Sequence, residues 1–256
     1  MKGIVHNSAA LKKRVKRFFD SPAAFDVSKF ISHLSTVGEV LLFGGFIRDV
    51  ALFSVRGFNS DIDVVVDCKK EELDYFFNFY DAKENKFGGY RLDVGGWSLD
   101  VWSLRDTWAF KEHLVALKDR TSLLETTITN WDAVAYSFLD EKLLMSPNYL
   151  AQLSSGVLDV VLVDNPNRLG AFLRVLRAIH DKRARYLMPG LLRYLRSEFS
   201  EFSVSDIYLS QLNFFNKLYF TASEIETLKS SLGWVQEDLF GMEIEVRGNN
   251  LSFSFS

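Results

Sequence analysis

The sequence predicts an α+β fold: a small mixed β-sheet flanked by helices, then a mainly helical region and a C-terminal β-hairpin. Residues 41–67 carry the first observation, because they run as an apolar strand, a Gly-Gly turn, a short helix, a loop and a second strand. Residues 169–196 have helical spacing. Residues 242–246 and 251–255 alternate around a polar turn, which predicts the closing hairpin.

The elements of the first part follow from local pattern. Residues 8–19 have helical spacing, and a second helix near residue 30 leads into a strand at 39–43. Residues 70–80 have helical character, and residues 126–136 begin with β-branched residues and continue as helix-like sequence.

A second hairpin is predicted in the middle of the chain. Residues 90–94 and 97–102 are strand-like, and Gly95 and Gly96 between them form a typical two-residue turn. Asp100 then lies on the second arm of this hairpin, between two apolar residues.

The helical part extends beyond the middle of the chain. Residues 207–219 are helical in pattern, and Thr221 with Glu224 fits the start of a further helix. We therefore expect two domains, a head at residues 1–145 and a helical neck and body at residues 146–256 that ends in the hairpin.

Composition excludes several classes of protein. The single cysteine, Cys68, excludes an intrachain disulfide and a cysteine zinc site. No apolar run reaches the roughly 20 residues that span a bilayer, and the N-terminus does not have the pattern of a secretory signal. We therefore expect a cytoplasmic protein with no membrane partner. There is also no Walker-type loop and no Gly-x-Ser-x-Gly motif.

The net charge of −3 hides a basic segment at residues 168–196. Its basic residues, set against one acid, Asp181, are Arg168, Arg174, Arg177, Lys182, Arg183, Arg185, Arg193 and Arg196. Such a segment either follows a nucleic-acid backbone or is a solvated helical face, and composition leaves both open.

The stretch 41–67 combines features that suit a nucleotide. Gly44 and Gly45 allow close approach of the backbone, and the helix that starts there points its positive end at the same place. Asp61 and Asp63 are two residues apart on a strand and share one face. Two carboxylates that face a triphosphate favour a hard cation such as Mg²⁺.

This arrangement resembles the polymerase-β-like nucleotidyltransferases, and within them the head domain of CCA-adding enzymes and bacterial poly(A) polymerases. Their pattern is Gly-Gly, two residues, Arg-Asp, a short helix and Asp-x-Asp in a strand. The matching residues here are Gly44, Gly45, Arg48, Asp49, Asp61 and Asp63.

The resemblance implies transfer of a nucleoside monophosphate from an NTP to an acceptor hydroxyl. It implies two Mg²⁺ ions, with Mn²⁺ as an alternative, held by Asp61, Asp63 and a third carboxylate on a neighbouring strand. Asp100 is the favoured candidate for that third carboxylate, and Asp93 competes with it.

The resemblance also implies nucleotide contacts near the turn. The N–H groups of Gly44 and Gly45 would hold the β- and γ-phosphates. Arg48 either touches phosphate or pairs with Asp49 to hold the helix, and we favour the ion pair.

A second similarity lies at the family's neck motif. Arg174 and Arg177 match its two arginines and are expected to bind nucleotide, although surface ion pairs at this helical spacing are the alternative. Gly170 and Ala171 stand where the motif has an acidic pair. Because the acid helps to read the base, strict selection of both CTP and ATP is not expected by that route.

Three functions follow from these observations. The first is addition of nucleotides to an RNA 3′ end, such as that of tRNA, with the basic segment 168–196 contacting the RNA. The second is the same chemistry on a protein or a small molecule. The third is a nucleotide-binding module without catalysis, against which the three carboxylates argue.

Overall fold

The computed structural model describes residues 3–55, 58, 61–182, 184–233, 242–247 and 250–255. The chain divides into two compact units, one made of residues 1–127 and 131–154, the other of residues 128–130 and 155–256. No helix in the described part of the chain is both long and apolar enough to cross a membrane.

In the described residues, the first unit contains a seven-stranded mixed sheet. Its strands are β1 (Glu39–Phe43), β2 (Ile62–Asp67), β3 (Lys83–Glu84), β4 (Tyr90–Val94), β5 (Trp97–Ser103), β6 (Val134–Ser137) and β7 (Lys142–Met145). They lie in the order β3-β4-β5-β2-β1-β6-β7. Strands β2 and β5 run parallel, and the other neighbours pair antiparallel. The predicted fold class and the predicted hairpin of β4 and β5 are therefore confirmed.

The helices of this unit are α1 (Ser8–Phe19), α2 (Phe25–Leu34), α3 (Gly45–Phe53), α4 (Lys70–Phe77), α5 (Trp108–Lys111) and α6 (Tyr149–Ser155). The side chain of Asn7 caps α1 by accepting from the Ala10 N–H at 2.8 Å. Helix α1 buries the apolar face that its spacing predicts, and its Phe18 ring packs against Phe46 of α3 with centroids 4.9 Å apart. Aromatic contacts thus join the N-terminal helix to the helix that follows the Gly-Gly turn.

One face of the sheet is covered by the segment that follows β5. Leu41 of β1 and Val65 of β2 are paired neighbours on that face, and they pack in a buried cluster with Leu104, Phe110 and Leu123. The 3₁₀ helices Leu104–Asp106 and Arg120–Thr126 supply two of these side chains. This cover fixes the middle of β1 and β2 in the interior.

The helix-like character predicted for residues 126–136 is wrong. The structure has a 3₁₀ helix that ends at Thr126 and then strand β6, in which every residue is buried. Strand β6 pairs with β1, with Leu42 opposite Tyr136. A strand that is buried on both faces lacks the alternation of apolar and polar residues, so its pattern cannot be distinguished from that of a buried helix.

The second unit is mainly helical, as predicted. Its elements are β8 (Val157–Leu158), α7 (Arg168–His180), β9 (Tyr186–Leu187), α8 (Pro189–Glu201), α9 (Val204–Phe215), α10 (Ala222–Gly233), β10 (Met242–Arg247) and β11 (Asn250–Phe255). Strands β10 and β11 form the predicted hairpin, whose turn at 248–249 lies outside the described residues. The predicted start of α10 is also confirmed, because the Glu224 N–H donates to Thr221 Oγ1 and the Thr221 N–H donates to Glu224 Oε2.

An ion-pair cluster holds the start of α3. Arg48 Nε donates to Asp49 Oδ1 at 2.8 Å, and Arg48 Nη1 donates to Asp132. The Arg48 side chain is 13% exposed and that of Asp49 only 3%. Burial by itself lowers the pKa of Arg48, but the charges of Asp132 and Asp49 outweigh it and raise the pKa overall, so the guanidinium stays charged.

We predict that Arg48→Met is strongly destabilising. Removing one partner of a buried ion pair leaves the carboxylates without their cation and typically costs about 3–5 kcal/mol. Urea unfolding of the purified variant measures this change. The control is Lys16→Met, which breaks the exposed pair with Glu141 and should leave stability nearly unchanged. Equal losses in the two variants would contradict a structural role for Arg48.

We predict that Cys68 does not react in the folded protein at pH 8. Burial, followed by the charges of Glu72 and Asp67, raises the pKa of the Cys68 thiol to about 12, so almost no thiolate is present. Alkylation by iodoacetamide, followed by mass spectrometry, should be at least about 100-fold slower in buffer than in urea. Similar rates in both solutions would show that the end of β2 is open.

Candidate active site

The predicted carboxylates lie on two neighbouring strands. Asp63 of β2 is paired in register with Asp100 of the parallel strand β5. Directly paired residues point to the same face of a sheet, and Asp61 precedes Asp63 by the two residues that return a strand to that face. The structure therefore brings Asp61, Asp63 and Asp100 together, and the Asp100 side chain is only 13% exposed.

The Gly-Gly turn lies at the same end of the sheet. Phe43 is the register partner of Asp63, and Gly44 follows it directly. Gly44 has φ 62° and ψ −117°, a conformation that glycine adopts without a steric penalty. Gly45 is the first residue of α3, so the positive end of that helix starts beside the carboxylates.

The two glycines differ in their hydrogen bonding. The Gly44 N–H donates to the Val134 carbonyl at 2.9 Å, so in this structure the sheet uses that donor. The Gly45 N–H belongs to the first turn of α3, where N–H groups have no acceptor within the helix. Gly44 thus shapes the turn, and phosphate binding by both glycines stays a prediction.

A residue that the sequence analysis did not identify completes the cluster. Arg91 of β4 is paired with Asp100, and its Nε and Nη2 donate to the two Asp100 carboxylate oxygens at 2.8 and 2.6 Å. Arg91 Nη2 also donates to Asp61 Oδ2 at 2.7 Å. The two-residue turn at Gly95 and Gly96 was the signal that could have revealed it, because a turn of that length places residue 91 opposite residue 100.

The charges of the cluster act on one another. Burial raises the pKa of Asp61, the charge of Arg91 opposes this rise, and the charges of Asp100 and Asp93 add to it. The pKa of Arg91 is raised in turn, first by its hydrogen bond to Asp100 and also by the charges of Asp61 and Asp63. One guanidinium therefore compensates part of a crowded negative charge.

The position of Asp93 bears on which residue is the third carboxylate. Asp93 lies on β4 and is paired with Ser98, one strand further from β2 than Asp100 is. Asp100 is the direct neighbour of Asp63. The geometry supports Asp100, whose catalytic role stays a prediction.

Within the described residues, no group of three or more His, Cys, Asp and Glu side chains is arranged as a metal site. The donors at the cluster nevertheless suit a hard divalent ion, because they are carboxylate oxygens on one face and they already surround a cation, Arg91. Asp61, Asp63 and Asp100 are the residues that would hold such an ion.

The other predicted nucleotide contacts have partners of their own. Arg48 is engaged by Asp49 and Asp132, the ion-pair arrangement described for α3. In the second unit, Arg174 of α7 is exposed. The Arg177 guanidinium lies 4.1 Å from the centre of the Tyr219 ring, and its Nε is 3.5 Å from Asp181 Oδ2. Nucleotide binding by these arginines stays a prediction.

The positions that lack the acidic pair of the neck motif are packed. A Cβ atom at Gly170 would lie 2.4 Å from the ring of Phe214, and Ala171 is fully buried. A side chain at position 170 would therefore require the Phe214 ring or the Asn167 side chain to move.

The fold is shared with solved structures of tRNA-processing enzymes. A structure titled "tRNA-processing enzyme (apo form I)" matches with a TM-score of 0.57 and 17% identity over 83% of this chain and 57% of its own. A Bacillus stearothermophilus CCA-adding enzyme in complex with CTP matches with a TM-score of 0.54 and 13% identity over 76% and 49% of the two chains.

No family model and no curated protein sequence matches the chain. The chain spans little more than half the length of the first matched structure, and at such identities the likeness concerns the fold. The resemblance predicted from residues 41–67 is confirmed at that level: the chain has a nucleotidyltransferase-like fold similar to that of CCA-adding enzymes.

Proposed function

We propose that this protein is a metal-dependent nucleotidyltransferase that moves a nucleoside monophosphate from an NTP to an acceptor hydroxyl. The observation that carries the proposal is the meeting of Asp61, Asp63 and Asp100 at the end of the sheet where the Gly-Gly turn begins. The similarity of the fold to CCA-adding enzymes supports the same reaction class.

The residues of the site would have different roles in the reaction. The carboxylates of Asp61, Asp63 and Asp100 would hold two Mg²⁺ ions, or Mn²⁺ in their place. When bound, such ions polarise the α-phosphate and stabilise the charge on the attacking and leaving oxygens. Gly44 lets the backbone approach the triphosphate, and the start of α3 at Gly45 orients it.

The proposed reaction exchanges one phosphorus–oxygen bond for another. The acceptor oxygen forms a bond to the α-phosphorus while the bond to the bridging oxygen of pyrophosphate breaks. Asp100 would activate the acceptor hydroxyl, by taking up its proton directly or through the metal ion that it would hold.

We propose an RNA 3′ end as the acceptor. The basic segment 168–196 supports this, and so does the similarity of the fold to that of tRNA-processing enzymes. Part of the positive charge of segment 168–196 is neutralised within the second unit, since Arg168 pairs with Glu198 at 2.9 Å. Arg174, Arg185 and Arg193 are exposed and would contact the phosphates.

A second candidate keeps the chemistry and changes the acceptor to a protein or a small molecule. The residues at positions 170 and 171 favour it, because Gly170 and Ala171 supply no carboxylate that could read a base. An enzyme that modifies such an acceptor does not depend on the strict alternation between CTP and ATP that the neck motif supports in CCA-adding enzymes.

We predict that Asp63→Asn greatly slows transfer while Asp67→Asn does not. The two aspartates lie on β2, and Asp67, at its other end, is held by Arg120 at 2.8 Å. Loss of charge stabilisation at the reacting phosphate costs on the order of 100- to 1,000-fold in rate. Incorporation of label from α-labelled NTP measures the rate. Equal activity of the two variants would contradict a role for Asp63 in transfer.

The same assay identifies the acceptor. The protein is incubated with each α-labelled NTP and Mg²⁺ or Mn²⁺, with total RNA in one reaction and RNase-treated cell lysate in another. Label in RNA supports the RNA 3′ end, and label in protein or small molecules supports the second candidate. No transfer with either metal in either mixture would favour a nucleotide-binding module without catalysis.

A further inference from the structure

Arg91 occupies the centre of the carboxylate cluster. Its guanidinium donates to both oxygens of Asp100 and to Asp61, and the charge of Asp63 also acts on it. The donor atoms that would bind a divalent ion are therefore in use by a cation of the protein itself. A guanidinium and a hard metal ion seek the same carboxylate oxygens, so the two compete.

Two properties make Arg91 displaceable. Its side chain is 54% exposed, so it can leave the cluster without opening the interior. The Asp61 side chain is 50% exposed, so one of its two carboxylate partners also faces solvent. Arginine remains protonated at any pH at which the protein is folded, so the competition does not depend on a titration of Arg91.

The cluster also needs a cation to be stable. Asp61, Asp63 and Asp100 repel one another, and Asp93, on the strand of Arg91, adds to the negative charge at Asp61. Without Arg91, Asp61 and Asp100 would lose the cation that pairs with both of them. Arg91 therefore does for the metal-free protein what a bound metal ion would do.

We propose that Arg91 is an internal counter-ion that closes the carboxylate cluster and must release Asp61 and Asp100 before a divalent ion binds. The inference rests on the proposed function in one respect, namely that these carboxylates bind the metal. Arg91 is a positioning residue, because it acts on the carboxylates. Because Arg91 competes for the same oxygens, it weakens the affinity of the carboxylates for free divalent ions.

The test is a titration of the protein with Mn²⁺ alone, in which electron paramagnetic resonance measures the concentration of the free ion. Arg91→Met removes the charge and keeps the length of the side chain. We expect this variant to bind Mn²⁺ about tenfold more tightly than the wild type, a difference of about 1.4 kcal/mol. Arg91→Lys should lie between the two, since one ammonium group cannot bridge both carboxylates as a guanidinium does.

The matched control is Arg120→Met, which breaks the pair with Asp67 at the other end of β2. It should bind Mn²⁺ as the wild type does. Slow alkylation of Cys68 in each variant shows that the first unit is folded.

A second readout uses the melting temperature. In EDTA, Arg91→Met should melt at a lower temperature than the wild type, because the carboxylates repel without a cation. Addition of Mn²⁺ should raise its melting temperature by more than that of the wild type.

Equal or weaker Mn²⁺ binding by Arg91→Met, with nucleotide transfer by the wild type intact, would overturn the role of Arg91 and leave the proposed function standing. If neither the wild type nor Arg91→Met binds Mn²⁺ and no transfer occurs, the carboxylates are not a metal site, and both proposals fall.

Discussion

The in-register pairing of parallel strands β2 and β5 is the constraint on which the site depends. It places Asp63 beside Asp100 and brings two like charges onto one face of the two central strands. A parallel pair requires a crossover, and the chain makes it through helix α4 and strands β3 and β4. That crossover also delivers Arg91, since β4 is the other neighbour of β5. The cation and the carboxylates it compensates thus come from one topological unit.

The negative charges at the two ends of β2 are compensated in different ways. At one end, Asp67 pairs with Arg120. At the other end, one guanidinium is shared between Asp61 and Asp100 and leaves an excess of negative charge. An excess of that kind is costly unless another cation can be bound, which is why it marks a candidate site more clearly than the acidic residues alone do.

The fold and the carboxylates could be predicted because their signals are local. A Gly-Gly turn, an Asp-x-Asp strand and a two-residue hairpin turn each depend on neighbours in sequence, and all three were found in the structure. Strand β6 was missed because it is buried on both faces, so its pattern carries no period. The stacking of Arg177 on Tyr219 depends on how α7 packs within the second unit, and no local pattern encodes that contact. Arg91 is an intermediate case. The hairpin register predicts its position opposite Asp100, but its contact with Asp61 depends on the pairing of β5 with β2, which the hairpin does not encode.

The second unit shows why a similar fold indicates the class of reaction better than it indicates the substrate. At Gly170 the ring of Phe214 takes the space where the neck motif has an acid, so the same helix position serves packing here. A carboxylate at that position would require the ring of Phe214 or the side chain of Asn167 to move. The two arginines can therefore serve stability or charge alone, while Asp61 and Asp100 of the first unit share one guanidinium beside a third carboxylate, Asp63. The chemistry of transfer is thus argued from the first unit, and the identity of the acceptor has to be measured.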